Sequence, residues 1–152
     1  MKSLETLIAG HAFFQGLDPD HVTLLAGCAS NRAFKRDQLL CRVGETANHF
    51  FVLRAGRVAI EIPHPSGVIR VQTVDEGDVI GWSWLIPPHE WRFDGRALEA
   101  TRVLALDAKC LRDKCKKDHD FGYEILSRFT RIVVDRLEAT RLQLLDLYGV
   151  PG

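Results

Sequence analysis

The spacing of apolar residues changes period twice along this chain. Leu4, Leu7 and Ile8 recur at helical spacing behind Ser3, whose hydroxyl can cap a helix. Gly16 interrupts that pattern. Asp18-Pro19 restarts it, with Asp18 as the cap and Pro19 at the first helical position, and Val22, Leu24, Leu25 and Cys28 carry it to about Ala29. From about Asn31 to Leu106 the period shortens towards two. Phe34 to Cys41 and His49 to Leu53 carry β-favouring side chains, with Gly44-Glu45 as a turn between them. Phe51 to Ile60 reads as a hairpin turning near Gly56. Pro63 to Gly67 is the next turn, and Val68 to Val74 alternates as a half-buried strand does. Glu76-Gly77-Asp78 turns again before Val79-Ile80, and Ala97 to Leu106 closes the set. Turn signals roughly every eight to twelve residues predict a sandwich or barrel-like roll.

From Asp107 the pattern is helical again. Asp107 to Lys117 reads as a short polar helix. Asp118 caps a long one running to Tyr148, with Gly149 and Pro151 as stop signals. About 30 residues at ~1.5 Å each make a rod of roughly 45 Å, longer than one small domain needs. It carries an apolar stripe at Leu126, Phe129, Val133, Leu137, Thr140, Leu144 and Leu147. The spacing is three, four, four, three, four, three, a heptad-like seam with one slip. The expectation is a homodimer joined through this helix.

Composition narrows the classes. The 152 residues suit one domain, residues 1–152, with N-terminal helices over 3–29, a β-roll over 31–106 and C-terminal helices over 107–148. Lys plus Arg and Asp plus Glu both count 20, so the net charge is zero. A nucleic-acid binder usually carries a basic excess, because phosphate contacts supply most of its affinity. No apolar run approaches the ~20 residues that cross a bilayer, and Met1 to Leu17 lacks the apolar centre of a signal peptide. The expected location is the cytoplasm, without membrane association. Cys28, Cys41, Cys110 and Cys115 form no C-x-x-C pair and are expected to be reduced. The six histidines include no His-x-His pair, and neither a Gly-x-Ser-x-Gly nor a P-loop occurs. No catalytic residue and no metal ligand is assigned, and the chain is not expected to be an enzyme.

Helices, a strand-rich roll, a short helix and a long one resemble the cyclic-nucleotide-binding domain family, including bacterial regulators of the catabolite-activator type. The local carriers are Phe51-Val52-Leu53-Arg54-Ala55-Gly56-Arg57-Val58, Glu76-Gly77-Asp78-Val79-Ile80-Gly81, and Arg96-Ala97-Leu98-Glu99 followed by Val103-Leu104-Ala105-Leu106-Asp107. The resemblance implies an α+β, mainly β fold: a double-stranded β-helix jelly roll with N-terminal helices and a long C-terminal helix. It also implies a phosphate-binding cassette from Gly81, where a turn and short helix aim backbone N–H groups at a cyclic phosphate. The family pattern has a Glu on the ribose hydroxyl and an Arg on the phosphate. Here Trp82 stands at the Glu position, and an indole has one donor and no acceptor. Either Trp91 or Arg92 stands at the Arg position, depending on cassette length. The candidate ligand residues are Gly81, Trp82, Ser83, Trp84, Leu85, Trp91 and Arg92, with Thr140 and Thr130 on the long helix as candidate purine contacts. Asp94 is a candidate ion-pair partner for Arg92 and Arg96.

Three tryptophans within Trp82 to Trp91 line a ligand pocket or replace the ligand with a hydrophobic plug. The functional expectation is therefore a non-catalytic sensory module signalling through its C-terminal helix, with cyclic AMP or cyclic GMP as candidate ligand. The alternative is a degenerate roll that binds no cyclic nucleotide and serves as a dimeric scaffold for a partner protein. Catabolite-activator regulators read DNA with a helix-turn-helix after the long helix; this sequence stops at Gly152, so direct DNA binding is not expected.

Overall fold

The computed structural model describes residues 3–149; Pro151, one of the expected stop signals, lies outside them. Ser3 accepts the Thr6 N–H and starts α1 (Leu4–Gly10), and Asp18 accepts the Asp20 N–H and starts α2 (Pro19–Ala26), with a 3-10 turn at Ala12–Phe14 between them. Eight strands follow: β1 (Ala29–Phe34), β2 (Leu39–Cys41), β3 (His49–Ala55), β4 (Arg57–His64), β5 (Gly67–Asp75), β6 (Val79–Ile80), β7 (Asp94–Ala97) and β8 (Thr101–Asp107). Asp107 caps α3 (Ala108–Lys117), and Asp118 caps α4 (His119–Leu147).

The strands form two four-stranded antiparallel sheets, in orders β1-β8-β3-β6 and β2-β7-β4-β5. This is the jelly roll with a long C-terminal helix that the resemblance implied. Two local readings need correction. The expected strand from Phe34 to Cys41 breaks at Lys35 to Gln38, where the Gln38 carboxamide oxygen accepts the Lys35 N–H at 2.6 Å and Asp37 takes φ 73°. That turn sends β1 and β2 into different sheets. The expected hairpin at Gly56 is also absent. β3 pairs with β8 and β6, β4 pairs with β5 and β7, and Gly56 carries the chain from one sheet to the other. Gly56 has φ +100°, and a Cβ there would lie 2.4 Å from the Thr101 hydroxyl, so no larger residue fits. The hairpin lies one strand later, where β4 and β5 close at His64 and Gly67.

The first sheet is buried on both faces, and alternation along β3 sorts two cores. Phe50 and Val52, with Leu104 and Leu106, meet the helices in one core. Phe51 and Leu53, with Val103 and Ala105, meet the second sheet in the other. On α4, Phe121, Ile125 and Phe129 enter the helical core. Phe129 lies edge-on to Phe50 at 4.7 Å and to Trp84 at 5.3 Å. It therefore belongs to the fold and not to the expected dimer stripe. Replacing it by Thr130 removes the slip: Leu126, Thr130, Val133, Leu137, Thr140, Leu144 and Leu147 run four, three, four, three, four, three, and all are exposed.

The cysteines also depart from expectation. Cys28 and Cys110 form a disulfide across 82 residues, with Cα atoms 5.7 Å apart. The tertiary pairing of Ala29 with Leu106 brings them together, which no local spacing reveals. Cys41 and Cys115 are free. Among the described residues no helix is long and apolar enough to cross a membrane.

Candidate functional site

β6 delivers the chain to Gly81, buried at φ +104°. A Cβ there would lie 2.7 Å from the Trp91 ring, so the glycine makes room for that indole. Trp91 is 5% exposed and lies parallel to Phe51, with interplanar angle 9° and centroids 6.0 Å apart. Phe93 meets its edge at 5.7 Å. These rings occupy the roll interior between the sheets.

The backbone holds Trp91 in place. Gly44 N–H donates to the Trp91 carbonyl and Trp91 N–H to the Glu45 carbonyl, each at 2.9 Å, while Ala47 N–H donates to the His89 carbonyl at 2.7 Å. Residues 89–91 are thereby stitched to the Gly44 turn. The expected short cassette helix does not form; a series of turns replaces it. Leu85, Ile86 and His89 N–H groups donate to the carbonyls of Trp82, Ser83 and Ile86. Those donors are spent inside the loop and are not aimed at an anion.

The candidate ligand residues do not converge. Trp84 is fully buried in the helical core, parallel to Phe50 at 5.3 Å, and Leu85 packs on the same core. The Trp84 carbonyl accepts from Arg112 at 2.7 Å. Ser83 is buried beside it. Trp82 also borders that core. It is half-buried, tilts against Phe93 at 6.3 Å and is covered by the Arg136 guanidinium 5.0 Å from its centroid. Arg136 also donates to the Val79 carbonyl, and burial lowers its pKa from the ordinary value. Arg92 is exposed, with Trp91 and Phe93 on either side turned inward. Of the two residues competing for the phosphate-ligand position, Trp91 thus takes the interior and Arg92 the surface.

Asp94 does not pair with Arg92 or Arg96 as expected. Its carboxylate accepts the Val43 N–H at 2.8 Å, and Arg96 pairs instead with buried Glu61 at 3.0 Å on the outer face of β4. Thr130 and Thr140 hydroxyls donate to the carbonyls of Leu126 and Arg136, one turn back on α4. A cavity of about 970 Å3 opens beside Trp91 on the β1–β2 side, with Phe51, Arg32, His49 and Arg96 among its walls. Sequence reasoning missed Phe51, Phe93 and Arg136 as parts of this site. Phe51 and Phe93 follow from strand alternation next to the cassette; nothing local marks Arg136, which reaches Trp82 only because α4 crosses β6. Among the described residues no group of His, Cys, Asp and Glu is placed to hold a metal ion.

Residues 31–118, more than half the chain, match the family described as the cyclic nucleotide-binding domain. A CRP-like cAMP-activated global transcriptional regulator of Mycobacterium tuberculosis is 22% identical over 152 residues, covering 98% of this chain and 66% of that protein. This chain therefore spans just under two thirds of the curated relative's length. The cyclic nucleotide-binding domain from Methylobacillus flagellatus KT superposes with TM-score 0.79 at 18% identity, covering 99% of this chain and 84% of that one. The regulatory subunit of a cAMP-independent protein kinase A from Trypanosoma brucei superposes with TM-score 0.68 at 19% identity, covering 83% of this chain and 45% of that one. At these identities the superpositions establish the fold.

Proposed function

We propose a regulatory, non-catalytic role from one premise: the chain belongs to the cyclic nucleotide-binding domain family. The reading is a dimeric, cytoplasmic interaction module whose output surface is α4 and whose cassette is closed by its own aromatic side chains. The observation that carries it is Trp91, locked over Gly81 and parallel to Phe51 inside the roll. A ligand that had to expel this indole would forfeit about 3–5 kcal/mol, judged from the cost of truncating buried aromatics. That is roughly a 10²–10⁴-fold loss of affinity. Trp82 adds a second layer under Arg136, and offers no acceptor to a ribose hydroxyl. The Trypanosoma relative, named as cAMP-independent, gives this reading a counterpart in the family.

A second reading keeps the module as a sensor of cyclic AMP or cyclic GMP, as the name of the Mycobacterium relative suggests. Exposed Arg92 favours it, being a guanidinium in the cassette with no side-chain partner among the described residues. Calorimetry on the full chain separates the two. No heat and no shift in thermal midpoint with either nucleotide at millimolar concentration is the expected result. Micromolar binding that disappears in Arg92→Ala replaces the interaction-module reading with the sensor.

A further inference from the structure

The four cysteines divide into two inert thiols and one joined pair. Cys41 is buried in the roll, where desolvation pushes its thiol up to about 12. Burial, then the Asp118 carboxylate, raises Cys115. Neither forms thiolate readily.

Cys28 and Cys110 have different surroundings. Cys28 is buried at the end of the turn after α2, while Cys110 is partly exposed in the first turn of α3. α3 is strongly basic: Lys109, Arg112, Lys114, Lys116 and Lys117 stand against Asp113 alone, in a chain of zero net charge. Lys114 lies one turn beyond Cys110, and its ammonium reaches back to Gly27, 3.4 Å from where a Cβ would stand, beside Cys28. Cationic neighbours and a helix N-terminus both favour thiolate over thiol. The Asp107 carboxylate at the same helix start accepts the Cys110 N–H at 2.8 Å, and its charge works against the thiolate that the lysines and arginine of α3 favour. The Cys110 sulfur sits 3.8 Å from the Gly27 carbonyl, an acceptor for an S–H when the bond is open.

Opening the bond need not open the fold. β1 and β8 stay paired from Ala29–Leu106 to Phe34–Thr101, and Asp107 N–H donates to the Cys28 carbonyl at 2.9 Å. The disulfide spans two segments that the backbone already holds together.

We propose that Cys110 and Cys28 form a reversible thiol–disulfide exchange site for a low-molecular-weight disulfide bearing carboxylates, with Cys110 as the attacking thiol and Cys28 as the resolving one. The excess positive charge of α3 supplies the recognition. The Cys110 thiolate attacks one sulfur of the small disulfide, forming a mixed disulfide and releasing one thiolate. The Cys28 thiolate then attacks the Cys110 sulfur and releases the second. The protein dithiol is oxidised by two electrons, the small disulfide is reduced to two thiols, and the two protein protons leave with them. The reverse sequence reduces the protein. Because α3 runs directly into α4 through Asp118, the exchange occurs at the root of the exposed helix. The site does not depend on nucleotide binding or on dimerisation.

The test uses the reduced full chain with oxidised glutathione as probe, acid quenching, alkylation and peptide mass spectrometry. Cys110 should gain glutathione about tenfold faster than Cys115 or Cys41, and the Cys28–Cys110 bond should then close. Cys28→Ser should trap the mixed disulfide at Cys110; Cys110→Ser should leave Cys28 unmodified over the same time. Uncharged 2-hydroxyethyl disulfide should react several-fold more slowly, and about 0.5 M salt should erase that advantage. Excess reduced glutathione should reopen the bond while the far-UV circular dichroism stays unchanged. Any of three results overturns the proposal: both thiols remaining free after exposure to the oxidant, Cys41 or Cys115 reacting first, or a bond that reopens only when the protein unfolds. Circular dichroism of each serine variant separates a lost thiol from a lost fold.

Discussion

From His119 to Arg136, α4 lies on its own roll; from Leu137 to Leu147 it lies mostly in solvent. The first half buries Phe121, Ile125 and Phe129, and Arg128 clamps it to the N-terminal segment by donating to the Phe13 and Gln15 carbonyls at 2.7 and 2.9 Å. The second half presents Leu137, Leu144 and Leu147, and its Gln143 amide reaches back to the Val71 carbonyl at 3.2 Å. Both halves are apolar enough to seem alike in sequence. One contributes to the stability of the monomer, while the other has apolar surface left exposed among the described residues. The two functions are offset around the helix: the buried face follows Phe121, Ile125 and Phe129, and the exposed heptad begins one residue later, at Leu126, Thr130 and Val133.

The sharpest way to break this comparison is to truncate one large side chain in each half. Phe129→Ala should cost about 3–5 kcal/mol of folding stability, because it empties the junction of Phe50, Trp84 and Phe13. Leu137→Ala should change monomer stability by less than about 1 kcal/mol. Urea denaturation at low protein concentration measures both, and equal costs would mean that the distal half is also part of the monomer core.

A smaller effect is expected on association. The pair Leu137→Glu and Leu144→Glu places like charges in the seam and should weaken self-association roughly hundredfold, at about tenfold per position, with the urea midpoint of the monomer unchanged. Sedimentation equilibrium reads this directly. A native chain that stays monomeric at high micromolar concentration would remove the helix from the interface altogether.

The smallest effect is a pH dependence confined to the packed part. His11 is buried, accepts the Phe13 N–H at Nδ1 at 3.1 Å and donates from Nε2 to the Leu53 carbonyl at 2.8 Å. Burial lowers its pKa below the ordinary 6.5, against the opposing pull of the Leu53 carbonyl, Glu76 and Asp78. His49 is lowered too, by burial and then by Arg32. Below pH 6.5 the unfolded chain takes up protons that the folded chain resists. Stability is therefore full above that value and declines as the pH falls through the folded pKa. Denaturation midpoints between pH 7.5 and 5 should fall accordingly, and His11→Gln should flatten the slope. The exposed seam contains no histidine, so a similar slope in dimer dissociation would show that the two halves are coupled.

Much of this organisation was legible in advance, and the exceptions have a common cause. Ser3, Asp18 and Asp118 each cap a helix where their position suggested, because capping is decided within about four residues, while Asp107, expected inside the short helix, caps it instead. Gly56 ends a strand where the sequence suggests, but β3 and β4 on either side of it do not pair. Local residues fix where a strand ends, but which strand it pairs with depends on segments far along the chain. The cassette depends on distant segments in the same way. Three tryptophans in one loop were visible, but their division was not: Trp84 enters the helical core, Trp91 enters the roll, and Trp82 waits under Arg136.

What the residues by themselves determined is the order of elements, the helix caps, the family resemblance and the existence of an apolar seam on α4. Each is a property of period or of a few neighbours. Tertiary structure alone decided that Phe129 leaves that seam and Thr130 joins it, that Cys28 meets Cys110 across 82 residues, and that Trp91 rather than Arg92 fills the interior behind Gly81. A side chain's fate there depends on which sheet face or helix face lies opposite. That is set when the two sheets close on each other, at separations no local pattern reaches.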